Sequence, residues 1–227
     1  MTSWEKPVVR LHPTKKIVGF WHIGVIGDWS RIAGEQYAKL RACGLRDACE
    51  RIVVGFVGGK GHGRALPVPI LDDPKFDVFV TDDPGDFEYP TLARLSHEAL
   101  ARVEPFLCFY FHTKGASRSN PATNAWRLYM EHFNLERWRD CVNALTEHET
   151  CGVELDDIHT HYGGNFWWAT SEYIRKLQNG YAYWQAYRDD RMAAELYVCS
   201  AHPKAYCFID FPENLYEYEV PESRYRR

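Results

Sequence analysis

Apolar runs and polar breaks alternate regularly through the first half of the chain. The run "KKIVGFWHIGV" (15–25) is short, β-branched and aromatic, and predicts a first strand. Trp29, Ile32, Ala33, Tyr37, Leu40 and Cys43 then recur at helical spacing, with Asp28 as a candidate N-cap and Gly44 as a stop. Two further runs, "RIVVGFVGG" (51–59) and "KFDVFVTDD" (75–83), predict the second and third strands. Pro90 opens a helix whose Leu92, Leu95, Ala99 and Val103 share one face. The fourth strand, "PFLCFYF" (105–111), is apolar at every position, as a central parallel strand covered on both faces must be.

In the second half, Asn120 and Pro121 begin a long helix with an apolar stripe of Trp126, Met130, Phe133, Trp138, Cys141 and Leu145. "TCGVELDD" (150–157) predicts a strand, and "HYGGNFWWAT" (161–170) another, interrupted by paired glycines. A short helix over 171–177 closes at Asn179 and Gly180. Residues 192–200 fit a helix or a strand, and 203–227, with Pro212 and Pro221, read as irregular. With no repeat or linker in view, residues 1–227 read as one domain. The strand–helix alternation predicts an α/β class, with a mixed, mostly parallel, Rossmann-like sheet flanked by helices. In such sheets ligands lie beyond the carboxyl ends of the strands.

Composition narrows the picture. The chain has 227 residues, 45% hydrophobic, enough for a full core. Aromatics reach 15%, with 8 Trp and 14 Tyr, which fits a site for ring-shaped ligands or simply a large aromatic core. The net charge of −4 is scattered, with no basic stripe, so nucleic acid is not an expected partner. No apolar run approaches the roughly 18 residues that a membrane span needs, and the first residues lack a signal peptide's apolar stretch. The seven cysteines show no CxxC pair; free thiols and a cytoplasmic location are expected. Cys43, Cys108 and Cys141 fall on apolar faces and read as small hydrophobes.

Candidate chemistry concentrates where the fourth strand ends. His112, Thr113 and Lys114 follow a buried run directly, and Gly115 lets backbone approach a ligand closely; donors beside bare backbone suit a diphosphate. Gly163 and Gly164 weaken an aromatic strand and call for a close approach by a ligand or by neighbouring backbone. Asn165 could bond a hydroxyl, and Trp167 and Trp168 point to opposite faces, one for the core and one for a sugar ring. Acid pairs occur at Asp72–Asp73, Asp82–Asp83 and Asp156–Asp157. The first reads as a turn, while Asp82 and Asp83 end the third strand and could bind ribose or a cation. Glu154 and Asp156 have a spacing that could hold Mg²⁺ or Mn²⁺. The glycine-rich "GFVGGKGHGR" (55–64) fails the dinucleotide reading, since "ALPVPILDDP" and no helix follows it; it reads as a loop and candidate lid. "HTH" (159–161) has no partner at zinc spacing, and Ser117 and Ser119 lack a nucleophile elbow. Glu195, in an apolar stretch, is either functional or paired with Arg191 four residues earlier.

Taken in order, "FEYPTL" (87–92), "YFHTKG" (110–115), "AWRLYM" (125–130), "CGVE" (151–154), "HYGGNFWWA" (161–169) and "AELYV" (194–198) resemble a group of small bacterial and viral glycosyltransferases with the GT-A fold, among them a domain of a chlorella-virus glycosyltransferase. The resemblance runs from about Lys15 to Ser200. It implies a nucleotide-sugar donor, UDP- or GDP-linked, and a glycan or other hydroxyl acceptor. In that fold the fourth strand usually ends in an Asp-x-Asp motif that holds Mn²⁺ or Mg²⁺. Here His112-Thr113-Lys114 takes that place, which implies that Lys114 and His112 bring the positive charge instead. Asp82, Asp83 or Asp156 could still recruit a cation. The resemblance further implies that His22 and Asp28 contact the base, and that His161, Gly163, Gly164, Asn165 and Trp167 line the sugar and acceptor side. Asp156, Asp157 or Glu195 would orient the acceptor or take its proton, and Arg127 either reaches the phosphates or is an ordinary surface arginine. Two rival readings stand beside this one: a metal-dependent phosphoesterase or nucleotidyltransferase using the acid pairs, and a non-catalytic carbohydrate-binding domain.

Overall fold

A computed structural model of the chain describes residues 15–59, 68–118, 120–156 and 160–226. The four runs of the first half form β1 (Lys16–Gly24), β2 (Arg51–Val57), β3 (Phe76–Thr81) and β4 (Phe106–His112). All four are parallel, in the spatial order β3-β2-β1-β4. The chain moves outward from β1 to β2 and β3, then returns to the other side of β1 for β4. Connections run through α1 (Trp29–Ala42), the single turns α2 (Leu45–Ala48) and α3 (Val68–Leu71), and α4 (Tyr89–Ala101).

Beyond β4 the sheet changes direction. Next to it lies β8 (Trp167–Thr170), antiparallel; then come β5 (Thr150–Gly152) and β9 (Ala205–Cys207). Each face of the resulting seven-stranded sheet has its own core. On one side Trp21, Phe109, Phe111 and Trp168 pack under α1, α5 (Pro121–Glu131) and α6 (Trp138–Ala144). On the other, Phe20, Tyr110 and Trp167 pack under α4, α7 (Ser171–Ile174), α8 (Gly180–Tyr187) and α9 (Arg191–Leu196). The neighbouring tryptophans therefore serve opposite layers. Trp168 stacks on Phe109 at 4.8 Å and Trp167 on Tyr110 at 5.3 Å. Each such pair is worth about 0.5–1.5 kcal/mol beyond the burial itself.

Several expectations change. The long helix is two helices joined by a π turn over His132–Glu136, where the Arg137 N–H reaches back five residues to the His132 carbonyl. The turn has a use, since the Asn134 carbonyl accepts the Trp168 indole N–H at 2.8 Å. The strand expected over 161–170 is two strands: β7 (His161–Tyr162) pairs with β6 (Leu155–Asp156) in a separate hairpin, and only β8 joins the main sheet. Likewise 150–157 divides into β5 and β6. The segment expected to be irregular supplies β9, and Phe211, Leu215, Val220 and Tyr225 beyond it enter the core. The helix α8 follows Asn179, whose side chain caps it, where a stop was expected. Residues 192–200 are helical. Asp28 precedes α1, but its carboxylate does not cap the helix; it accepts from Arg31 Nε at 2.7 Å. Residues 60–67 of the expected lid lie outside the described residues.

Candidate active site

The order reversal at β1 and β4 opens a crevice at their carboxyl ends, the usual ligand position in an open α/β sheet. His22 and His112 stand opposite each other in register there. Past them the Thr113 N–H donates to the His22 carbonyl (3.1 Å), and the Thr113 hydroxyl accepts from the Gly24 N–H (3.2 Å). Thr113 thereby helps to hold the two strand ends together. Gly115 follows with φ +84°, a left-handed turn that brings the chain round to Asn120. The Asn120 side chain accepts from the Thr123 N–H (2.9 Å), and Pro121 starts α5.

Both imidazoles are neutral. Burial pulls His22 down to about 4 against the opposing charge of Glu88, and burial, with the charge of Lys114, pulls His112 down to about 3. His112 Nε2 lies 2.9 Å from the Gly164 carbonyl, which can only accept, so Nε2 carries the proton. Its Nδ1 lone pair is turned towards Glu88 Oε1, 3.7 Å away. His112 thus brings no positive charge at neutral pH, contrary to the role the resemblance implies.

Lys114 is the cation of this edge. It is only 8% exposed, and among the described residues its ammonium makes no ion pair and no hydrogen bond. It rests 3.8 Å above the centre of the Trp126 ring and 5.6 Å from that of Tyr216. Burial pulls its pKa down to about 8, against the opposing pull of Glu195 and then Glu88. Lys114 borders a cavity of about 350 Å³ with Asp28, Arg31, Gly115, Arg118, Asn120 and Glu219. The first turn of α5 also borders that cavity through Asn120, Pro121 and Asn124.

Two buried acids complete the crevice. Glu195, on α9, makes no ion pair with Arg191, so the helical pairing is not formed among the described residues; its charge is felt by Lys114, His112 and Tyr110. Glu88, at the head of α4, accepts from the Asn165 side-chain amide. Phe87 and Asn165, on either side of that contact, both hold positive φ (47° and 58°). Strain of this kind at non-glycine residues gathers at functional sites.

The remaining predicted residues divide sharply. Trp167 is fully buried, its indole N–H given to Asn165 Oδ1 at 2.7 Å, so no sugar ring can stack on it. Asn165 is 1% exposed, its Oδ1 accepting from Trp167 and its amide donating to Glu88, so it is buried away from an acceptor hydroxyl. Gly163 and Gly164 answer to packing, not to a ligand. A Cβ on Gly164 would stand 2.6 Å from Met130 Sδ and 3.1 Å from Trp126, at φ +83°. Gly164→Ala is accordingly expected to lower stability by about 2–4 kcal/mol, read as a lower urea midpoint with an unchanged slope.

Arg127 is neither a surface residue nor a phosphate ligand. It is 1% exposed and donates to Glu131 (2.8 Å), Glu35 (2.7 Å) and Asn124 (2.7 Å). His161 and Asp156 face each other across the small hairpin, Nδ1 to Oδ2 at 3.9 Å. Asp157, His159 and Ser119 lie outside the described residues. Asp82 and Asp83 are exposed at the end of β3, where Asp83 accepts from the Gly85 N–H (2.8 Å). Among the described residues no three His, Cys, Asp or Glu side chains converge to hold a metal. Glu88, Arg118, Trp126 and Tyr216 are the site residues that pattern reading did not single out. Only Glu88 left a local trace, as an acid just before the helix-opening Pro90.

Fold and site together define an α/β protein with a mostly parallel sheet and a cationic crevice at its strand ends. Residues 99–208, a little under half of the chain, match a family model described as a domain of unknown function, DUF8361. The matched span includes Lys114, Trp126 and Glu195; His22, Glu88 and Tyr216 lie outside it. No curated protein and no solved structure matches the chain. All seven cysteines are free thiols, and among the described residues no helix is long and apolar enough to cross a membrane.

Proposed function

We propose that the chain is a glycosyltransferase of GT-A type that moves a sugar from a nucleotide-diphosphate sugar to an acceptor hydroxyl. The observation that carries this reading is the buried Lys114 ammonium, which has no carboxylate partner and borders a cavity at the carboxyl ends of β1 and β4. Departure of the sugar builds negative charge on the diphosphate, and a fixed, desolvated cation beside a helix N-terminus stabilises such charge. Glu195 is the acid nearest in effect to Lys114 and the best candidate to orient the acceptor or take its proton.

The rivals have less support. The aromatic rings that a carbohydrate-binding module would offer at 167–168 are in the core. Of the acids that a two-metal enzyme would need, Asp82 and Asp83 follow β3 and Asp156 ends β6, and among the described residues no three acids or imidazoles converge.

A thermal-shift series with UDP, GDP and their sugars, with and without Mn²⁺, tests the reading. A ligand at one hundred times its Kd adds about 2.7 kcal/mol of stability. Glu195→Gln is expected to slow transfer, or slow donor hydrolysis, by about 10²–10⁴-fold without weakening nucleoside-diphosphate binding. If no nucleoside diphosphate raises the midpoint, the reading fails.

A further inference from the structure

We propose that Trp126 and Tyr216 are positioning residues whose rings hold the Lys114 ammonium as an uncommitted cation, so that segment 205–226 supplies one wall of the anion site. A buried ammonium normally takes a carboxylate or a ring of carbonyls, because desolvation without a partner is costly. A carboxylate partner would also neutralise it and occupy its donors. Ring faces do neither: they attract the charge through their quadrupole and leave the N–H groups on the open side for an incoming anion.

The geometry fits that use. The Trp126 face carries the ammonium at 3.8 Å, and Tyr216 meets Trp126 edge-on, with centroids 4.9 Å apart at 85°. Tyr216 lies 5.6 Å from the same ammonium and 6.0 Å from the Arg118 guanidinium, so one ring gathers two cations beside the cavity. The cage is anchored from behind. Leu215 and Val220 bury themselves on either side of Tyr216, and Asn120 Nδ2 donates to the Tyr216 carbonyl (3.3 Å), tying the segment to the start of α5. Beneath Trp126, Gly163 and Gly164 leave the room its ring needs. Tyr216 itself is 47% exposed, so its ring contributes little to the core, while its neighbours in contact, Lys114 and Arg118, line the cavity.

The inference rests on the reading of Lys114 as the diphosphate-binding group, and inorganic pyrophosphate is the probe that separates the two. The full chain and its Lys114→Met, Tyr216→Phe, Tyr216→Leu and Trp126→Phe variants are titrated calorimetrically with pyrophosphate from pH 6 to 10. The charged groups around Lys114 are Glu195 on α9, Glu88 ahead of α4, Arg191 and Arg118, together with Asp28, Arg31 and Glu219 across the cavity. Tyr216→Leu is expected to weaken binding about 5- to 10-fold, while Tyr216→Phe and Trp126→Phe, which keep a ring, stay within about threefold. Opening the cage in Tyr216→Leu also rehydrates Lys114. The pH at which binding falls away then moves up from about 8 towards the ordinary lysine value. If Tyr216→Leu matches the parent in affinity and pH profile while Lys114→Met has lost binding, the positioning role is overturned and the anion site stands. Equal weakening in Tyr216→Leu and Tyr216→Phe also overturns it. If the parent binds neither pyrophosphate nor any nucleoside diphosphate, the transferase reading falls with it.

Discussion

Lys114→Met will unfold at a higher temperature than the parent protein and will no longer bind nucleoside diphosphates. The two effects have one cause. The Lys114 ammonium is almost fully buried, and burial is the largest influence on it, pulling it from 10.5 to about 8. A downward shift in a lysine means that the folded state disfavours the charged form. That penalty is present in full below about pH 8, where folded and unfolded chains are both protonated. It is relieved between about 8 and 10.5, where only the unfolded chain holds the proton, so stability rises with pH across that window. Methionine has similar length and no charge, and removes the penalty; a gain of roughly 1–3 kcal/mol is expected near neutral pH. The same change deletes the cation that faces the cavity. Loss of one preorganised charge at a developing anion slows turnover by about 10²–10³-fold. Differential scanning calorimetry at pH 7 and pH 10, beside a nucleotide titration, measures both. A variant that is less stable at pH 7, or that still binds UDP or GDP at the parent's affinity, contradicts the account of Lys114.

The second large effect lies behind the site. Glu131 is fully buried; its Oε1 accepts from Arg127 Nη1 (2.8 Å) and Gln36 Nε2 (2.9 Å), and its Oε2 forms an ion pair with Lys39 Nζ (2.9 Å). Glu131→Ala leaves Arg127 and Lys39 without their shared partner in a desolvated place. A loss of about 3–5 kcal/mol is expected, and roughly 10 °C in Tm for a chain of this size. Glu131→Gln keeps an acceptor and should lose less. The damage is not confined to stability, because Gln36 also donates to the His112 carbonyl (2.9 Å) and so ties this knot to the end of β4. Urea titration of the two variants decides the matter; a change below about 1 kcal/mol for the alanine variant would show that Arg127 and Lys39 find other partners.

Local pattern carried the first half of the fold. Four apolar runs at β-strand length and two helical stripes were enough to place β1 to β4, because central parallel strands are apolar on both faces and admit little else. The abrupt end of β4 marked Lys114 for the same reason. Pattern failed wherever a long-range partner made the decision. The indole N–H groups of Trp167 and Trp168 are claimed by Asn165 and by the Asn134 carbonyl, and no spacing rule reveals that both rings are core. The glycine pair looked like an invitation to a ligand because the Met130 and Trp126 side chains that crowd it belong to another helix. Tyr216 carried no signal at all: its place beside Lys114 comes from where Leu215 and Val220 pin the backbone. Arg127 looked exposed because helical periodicity says nothing about a neighbouring helix that brings Glu35 to meet it.

The twin indoles of β8 have one more implication. Neighbouring positions of a strand face opposite layers, so a slip of one residue moves each side chain to the other layer. A slip in one direction would seat Trp168 in the place of Trp167 and leave Ala169 in that of Trp168, so one layer would keep an indole and the other would lose one. In the layer that keeps its indole, what tells the two alignments apart is polar: the Trp167 ring finds an amide oxygen near Glu88, and the Trp168 ring the backbone oxygen freed at the π turn. The correct pairing is therefore policed by bulk on one face and by a hydrogen bond on the other, and the Trp167 bond is fastened to the residues around Glu88.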